Sequence, residues 1–184
     1  MKRTRDEFRI LTPGEYERLR DQCPKTRLRA GLDFLLFTGM RYSEARRACR
    51  HIDEWFDEKN RAIIIPAEHT KTNRRREVHL TPAYTKQLSL YLREWKTLDL
   101  PHQRTFERNM ARWWGIDINN WYPTPKTLRK TWESWLIYTG YDPMKVALSQ
   151  GHSQVIQMHH YASMSARLKS EVDAVKRLTE GWMT

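Results

Sequence analysis

Four short clusters in the sequence concentrate side chains able to hold an anion or move a proton. In Thr38-Gly39-Met40-Arg41-Tyr42-Ser43-Glu44, a glycine can end one helix and Ser43 can cap the next. A kink between them would push the Arg41 guanidinium into a cleft. In Thr70-Lys71-Thr72-Asn73-Arg74-Arg75-Arg76, Lys71 and the three arginines crowd one connection and would project toward a phosphate backbone. In Thr124-Pro125-Lys126-Thr127-Leu128-Arg129-Lys130, Lys126 and Arg129 are three residues apart and share a helix face. They lie in the first turns, where backbone N–H groups also favour anions. In Gly151-His152-Ser153, a histidine precedes a short helix, and Tyr161 follows it. The two can return to one site. Each cluster alone also fits a plainer reading: a loop arginine, a solvated hairpin, a basic amphipathic helix, a half-buried tyrosine.

The elements that must position these groups are punctuated by cap-then-proline signals at Thr12-Pro13, Thr81-Pro82, Thr124-Pro125 and Asp142-Pro143. Ser43, Ser153 and Ser165 offer further caps. Helices are expected near 13–22, 26–38, 44–50, 82–97, 104–113, 125–138, 143–149, 153–160 and 165–180. Strands are expected at 52–56, 62–65 and 76–80, with a turn at Asp57-Glu58-Lys59-Asn60. The fold class is therefore mainly α with a small three-stranded antiparallel β-sheet. With no Gly/Ser linker, repeat or low-complexity run, residues 1–184 read as one domain.

The 184 residues carry 33 Lys and Arg against 22 Asp and Glu, a formal charge of +11. An electropositive surface of this size points to a polyanion, above all nucleic acid. Hydrophobic residues at 39% and aromatics at 11% exclude wholesale disorder. No apolar run approaches a membrane span, and the first ten residues lack the apolar core of a secretion signal. Cys23 and Cys49 form neither a disulfide framework nor a metal spacing. An intracellular protein without membrane, metal or cofactor is the expectation.

Taken in order, Arg41, Lys71, Lys126-Thr127-Leu128-Arg129, His152 and Tyr161 resemble the tyrosine recombinase, or phage integrase, family. Gly39-Met40-Arg41-Tyr42-Ser43-Glu44 fits that family's Gly-x-Arg-x-x-Glu, and Tyr161 stands nine residues after His152. The resemblance runs from about Leu11 to Tyr161. Lys126 stands where most members have histidine and resembles the variant of archaeal virus integrases; Lys130 replaces a histidine often found after the second arginine. The family's N-terminal DNA-clamping domain is absent, so the chain reads as a catalytic domain alone.

The resemblance implies cleavage and rejoining of double-stranded DNA through a 3′-phosphotyrosine on Tyr161. A phenol of pKa about 10 is easier to activate than a serine hydroxyl. Arg41, Arg129 and His152 would neutralise the transition-state charge in place of a metal. Lys71 would protonate the 5′-oxygen, and Lys126 would act as base or phosphate ligand. Arg74, Arg75, Arg76 and Lys130 would bind the DNA. Self-association into a tetramer on DNA is implied, with a monomer in its absence; the helix at about 165–180 either packs on its own domain or, as in the resembled family, docks on a neighbouring subunit. Rival readings are a non-catalytic basic DNA-binding module, a type IB topoisomerase-like enzyme, and a metal-dependent nicking enzyme using His159-His160. In the last, adjacent helical histidines would point about 100° apart.

Overall fold

The structure, a computed structural model, describes residues 9–70, 73–115, 121–151 and 168–183. The order is α1 (Pro13–Asp21), α2 (Thr26–Thr38), α3 (Tyr42–Ala48), α4 (Ile52–Trp55), β1 (Phe56–Asp57), β2 (Ala62–Ile65), β3 (Arg76–His79), α5 (Pro82–Trp95), α6 (Gln103–Trp114), α7 (Pro125–Tyr138), α8 (Pro143–Gln150) and α9 (Val172–Thr179). Single 3₁₀ turns lie at Ala67–His69 and Lys169–Glu171. The fold is mainly helical, with one antiparallel sheet in the order β1-β2-β3, and Ile63 opposite both Phe56 and Val78.

The cap-then-proline signals start the helices they should. Thr12 and Glu15 satisfy each other's backbone N–H groups at the start of α1. Thr81, Thr124 and Asp142 cap α5, α7 and α8 through their side chains. The core forms where α2 packs on α7. Leu32, Leu35 and Leu36 of α2 and Leu128, Trp132 and Trp135 of α7 are all buried there. The segment before α1 is tied to the same helix, since Leu11 N–H donates to Thr131 Oγ1 at 3.0 Å and Trp135 Nε1 donates to the Leu11 carbonyl at 3.0 Å.

Two local expectations need correction. Residues 52–56 are not a strand: Ile52–Trp55 form a helical turn, and strand pairing begins at Phe56. Ile52 and Trp55 are both buried, a spacing of three that suits a helical turn and puts them on one side. Ser43 is not a cap either. The helix starts at Tyr42 because the Glu44 carboxylate accepts the Arg41 N–H at 3.1 Å, leaving Ser43 inside the first turn. The turn at Asp57-Asn60 is present, closed by Asn60 N–H donating to Asp57 Oδ1 at 2.9 Å. The helix expected at 153–160, with Ser153 and Ser165, lies outside the described residues.

The chain end packs on its own domain. Leu168, Val175 and Trp182 are buried, and α9 lies against α7. The Trp182 indole donates to the His79 carbonyl at 2.8 Å, clamping the end of β3. Trp182→Phe removes that donor and leaves the carbonyl short of a partner, so urea denaturation should show a loss of about 1–2 kcal/mol.

Candidate functional site

Helix α2 ends at Gly39, in the left-handed region at φ 57°. A side chain there would also run into the Gln150 amide at the end of α8. The chain then turns so that Arg41 precedes α3. Its guanidinium donates to Glu44 Oε1 at 3.3 Å and to the Gly151 carbonyl at 3.1 Å. From α7, Arg129 donates to the Gly39 carbonyl at 3.1 Å and to the Gln150 carbonyl at 2.5 Å. Two arginines 88 positions apart thus meet across the junctions α2–α3 and α8–Gly151. Between them opens a cleft of about 210 Å³, lined by Arg41, Ser43, Gln103, Lys126 and Arg129. Arg41 stands at its mouth with 43% of its side chain exposed, and Arg129 forms its wall at 6% exposure. Lys126 is exposed, one turn before Arg129, beside the N-terminal end of α7.

The electrostatics of the cleft favour an anion. Burial pushes the Arg129 guanidinium down to about 10; Arg41 and Arg76 add to the fall, and Glu44 only partly opposes it. Glu44 shows the converse. Burial alone would raise its carboxyl, but Arg76, the Arg41 backbone N–H, and the guanidiniums of Arg41 and Arg129 together hold it below the usual range. An anion entering the cleft would relieve the mutual repulsion of the guanidiniums, and two forked donors can grip the oxygens of a phosphate.

The structure brings together Arg41, Lys126 and Arg129 from the sequence-derived set. Lys71, His152 and Tyr161 lie outside the described residues, as do His159 and His160. Arg74 and Arg75 are exposed at the β2–β3 connection, and Arg75 pairs with Glu77 at 2.9 Å. Arg76 does not project with them: only 11% of its side chain is exposed, and it turns inward to Glu44. Lys130 is half-buried on α7. Trp113, Trp114 and Trp121 are buried, with the Arg9 guanidinium 4.0 Å from the Trp121 ring centroid and Arg18 4.7 Å from that of Trp114. The backbone carbonyls of Gly39, Gln150 and Gly151, which brace the two arginines, were missed. Every residue has a carbonyl, so composition and motif carry no sign of them.

Among the described residues, no group of three or more His, Cys, Asp or Glu could hold a metal ion, and no helix is long and apolar enough to cross a membrane. The family model described as "Phage integrase family" matches residues 9–167. The fold is similar to that of XerA recombinase, at 22% identity and a TM-score of 0.65, covering 92% of this chain and 65% of that one. It is also similar to the Tn1549 transposon integrase in complex with transposon right end DNA, at 19% identity and a TM-score of 0.61, covering 89% and 66%. A third similar structure is the XerH site-specific recombinase bound to its difH substrate, at 18% identity and a TM-score of 0.59, covering 89% and 54%. The chain thus spans between about half and two thirds of these proteins. No curated protein matches it.

Proposed function

Because the chain belongs to the phage integrase family, we propose that it cuts and rejoins double-stranded DNA at a specific site, with Tyr161 as nucleophile. The observation that supports this most is the cleft itself. Arg41 and Arg129 converge on a space of about 210 Å³, where burial and the repulsion between guanidiniums outweigh the pull of Glu44 and Glu133 on Arg129. A scissile phosphodiester held there would offset that repulsion.

The reaction is a transesterification. The Tyr161 oxygen forms a bond to phosphorus as the bond to the 5′-oxygen breaks. The phenolic proton leaves to a base, for which Lys126 at the cleft rim is a candidate; as a cation Lys126 would instead hold the phosphate. Lys71 gives a proton to the departing 5′-oxygen. The product is a 3′-phosphotyrosine and a free 5′-hydroxyl. Bond energy is kept in that linkage, so reversal with a new 5′-hydroxyl rejoins the strand without a nucleotide. Arg41 and Arg129 stabilise the charge that builds on the non-bridging oxygens, with His152 as a third donor. Arg74, Arg75 and Lys130 would contact the flanking backbone. Exchange between two sites needs several copies, so assembly on DNA belongs to this reading. The kinship to archaeal virus integrases rests on Lys126 alone.

A pool of nicked duplexes with a randomised central segment tests the proposal. Cleavage near the nick releases a short fragment and traps the protein on the DNA. A covalent adduct that resists denaturation, forms in EDTA and is lost in Tyr161→Phe is expected. Binding to the pool with no adduct would instead make the chain a non-catalytic DNA-binding module.

A further inference from the structure

Resting on the proposed strand cleavage, we propose that Arg76 is a positioning residue that locks Arg41 and Arg129 into one unit, and not a contact to the DNA backbone.

Arg76 closes a run of three arginines, but its surroundings differ from those of its neighbours. Arg75 has 61% of its side chain exposed, and Arg76 has 11%. As the first residue of β3, Arg76 points to the opposite face from Glu77. It does not line the cleft. Its Nη2 donates to Glu44 Oε2 at 3.0 Å, and its Nη1 donates to the Gln150 carbonyl at 2.9 Å. These two acceptors also hold the cleft arginines: Glu44 receives both the backbone N–H and the guanidinium of Arg41, and the Gln150 carbonyl receives Arg129. A continuous path therefore runs Arg41–Glu44–Arg76–Gln150–Arg129, with Arg76 as its middle link.

The fork of a guanidinium suits this place. Two acceptors on different elements, α3 and the end of α8, are held by one planar group carried on β3. Its Nε is buried without a hydrogen-bond partner, so the geometry favours the two outer nitrogens at the expense of the third. Gly151 leaves the room, since a side chain there would strike Arg76 Nη1. Without Arg76, Glu44 and the Gln150 carbonyl are no longer held at a fixed separation. The two cleft guanidiniums can then drift apart, and a misplacement of about 1 Å costs a rate on the order of 10²-fold.

The test uses the intact chain on the duplex recovered from the trapping pool. It measures single-turnover cleavage at saturating DNA, the Kd, and its salt dependence. Arg76→Gln should cleave about 10²-fold more slowly, with its Kd changed by less than about two-fold and its salt slope unaltered. Arg76→Lys, which keeps the charge but not the fork, should be similarly slow. A contact to the backbone would give the reverse: a salt slope smaller by about one phosphate and full cleavage at saturation. That result would overturn the inference. The double variant Arg76→Gln/Glu44→Gln also removes the buried carboxylate that has lost its Arg76 partner, so it is expected to fold even if Arg76→Gln does not. It too should cleave slowly, and wild-type cleavage by it would overturn the inference. Absence of any adduct from the wild-type chain would instead sink the functional reading, and this inference with it.

Discussion

Replacing Arg129 by alanine is expected to slow single-turnover strand cleavage by about 10²–10³-fold or more, the usual loss when one prepositioned donor is removed from a transition-state site. The expectation comes from where the guanidinium is held. It lines the cleft and is fixed from behind by the carbonyls of Gly39 and Gln150. The chain thus spends a buried cation on a place where burial and neighbouring arginines already depress its basicity. Burial and like charge oppose such an arrangement, and an arriving phosphate would relieve both. Arg129→Lys separates charge from geometry. A lysine keeps a cation but cannot bridge two carbonyls while facing an oxyanion in a plane. It should bind DNA nearly as well as the wild type and still cleave at least about tenfold more slowly. Cleavage at the wild-type rate by Arg129→Lys would show that only charge matters there.

Asp33→Ala is expected to destabilise the fold by about 3–5 kcal/mol, as when one partner of a buried ion pair is removed. Asp33 is 1% exposed, in the middle of the apolar stripe of α2. Its Oδ1 accepts from the Tyr16 hydroxyl at 2.6 Å and from Arg20 Nε at 2.8 Å. Its Oδ2 accepts from Arg20 Nη2 at 3.1 Å, Gln87 Nε2 at 3.0 Å and the Tyr91 hydroxyl at 3.0 Å. One carboxylate therefore ties α1 and α5 to α2. Without it, a guanidinium and the buried Tyr16 hydroxyl lose their acceptor together. For a chain of this length the Tm should fall by about 6–20 °C, at roughly 2–4 °C per kcal/mol. Asp33→Asn keeps the shape and some acceptor capacity, so its loss should be smaller. Thermal unfolding of the two variants beside the wild type checks the order.

What could be read from the sequence was local. Thr12-Pro13, Thr81-Pro82, Thr124-Pro125 and Asp142-Pro143 start helices because a cap and a proline act within one turn. Gly39 ends α2 for the same kind of reason. Residues 52–56 misled because four or five residues cannot separate a helical turn from a short strand by pattern alone. In the sequence Arg76 forms one charge run with Arg74 and Arg75. Its partners stand at Glu44 and Gln150, and no local rule reaches that far. Asp33 did leave a trace, an acid between Leu32 and Phe34 within an apolar run, but its donors come from positions 16, 20, 87 and 91. Of the chemistry-bearing set, Arg41, Lys126 and Arg129 share one cleft, while Lys71, His152 and Tyr161 fall outside the described residues.

The central claim is that this cleft holds the phosphodiester that Tyr161 attacks. Proteolysis of the trapped protein–DNA adduct, followed by mass measurement of the peptides, tests it most directly. The account predicts one peptide, containing Tyr161, heavier by a nucleotide 3′-phosphate, and about 10²-fold slower formation of it in Arg129→Ala under the same conditions. A nucleotide attached to any other residue, or an adduct that forms at full rate without Arg129, would contradict it.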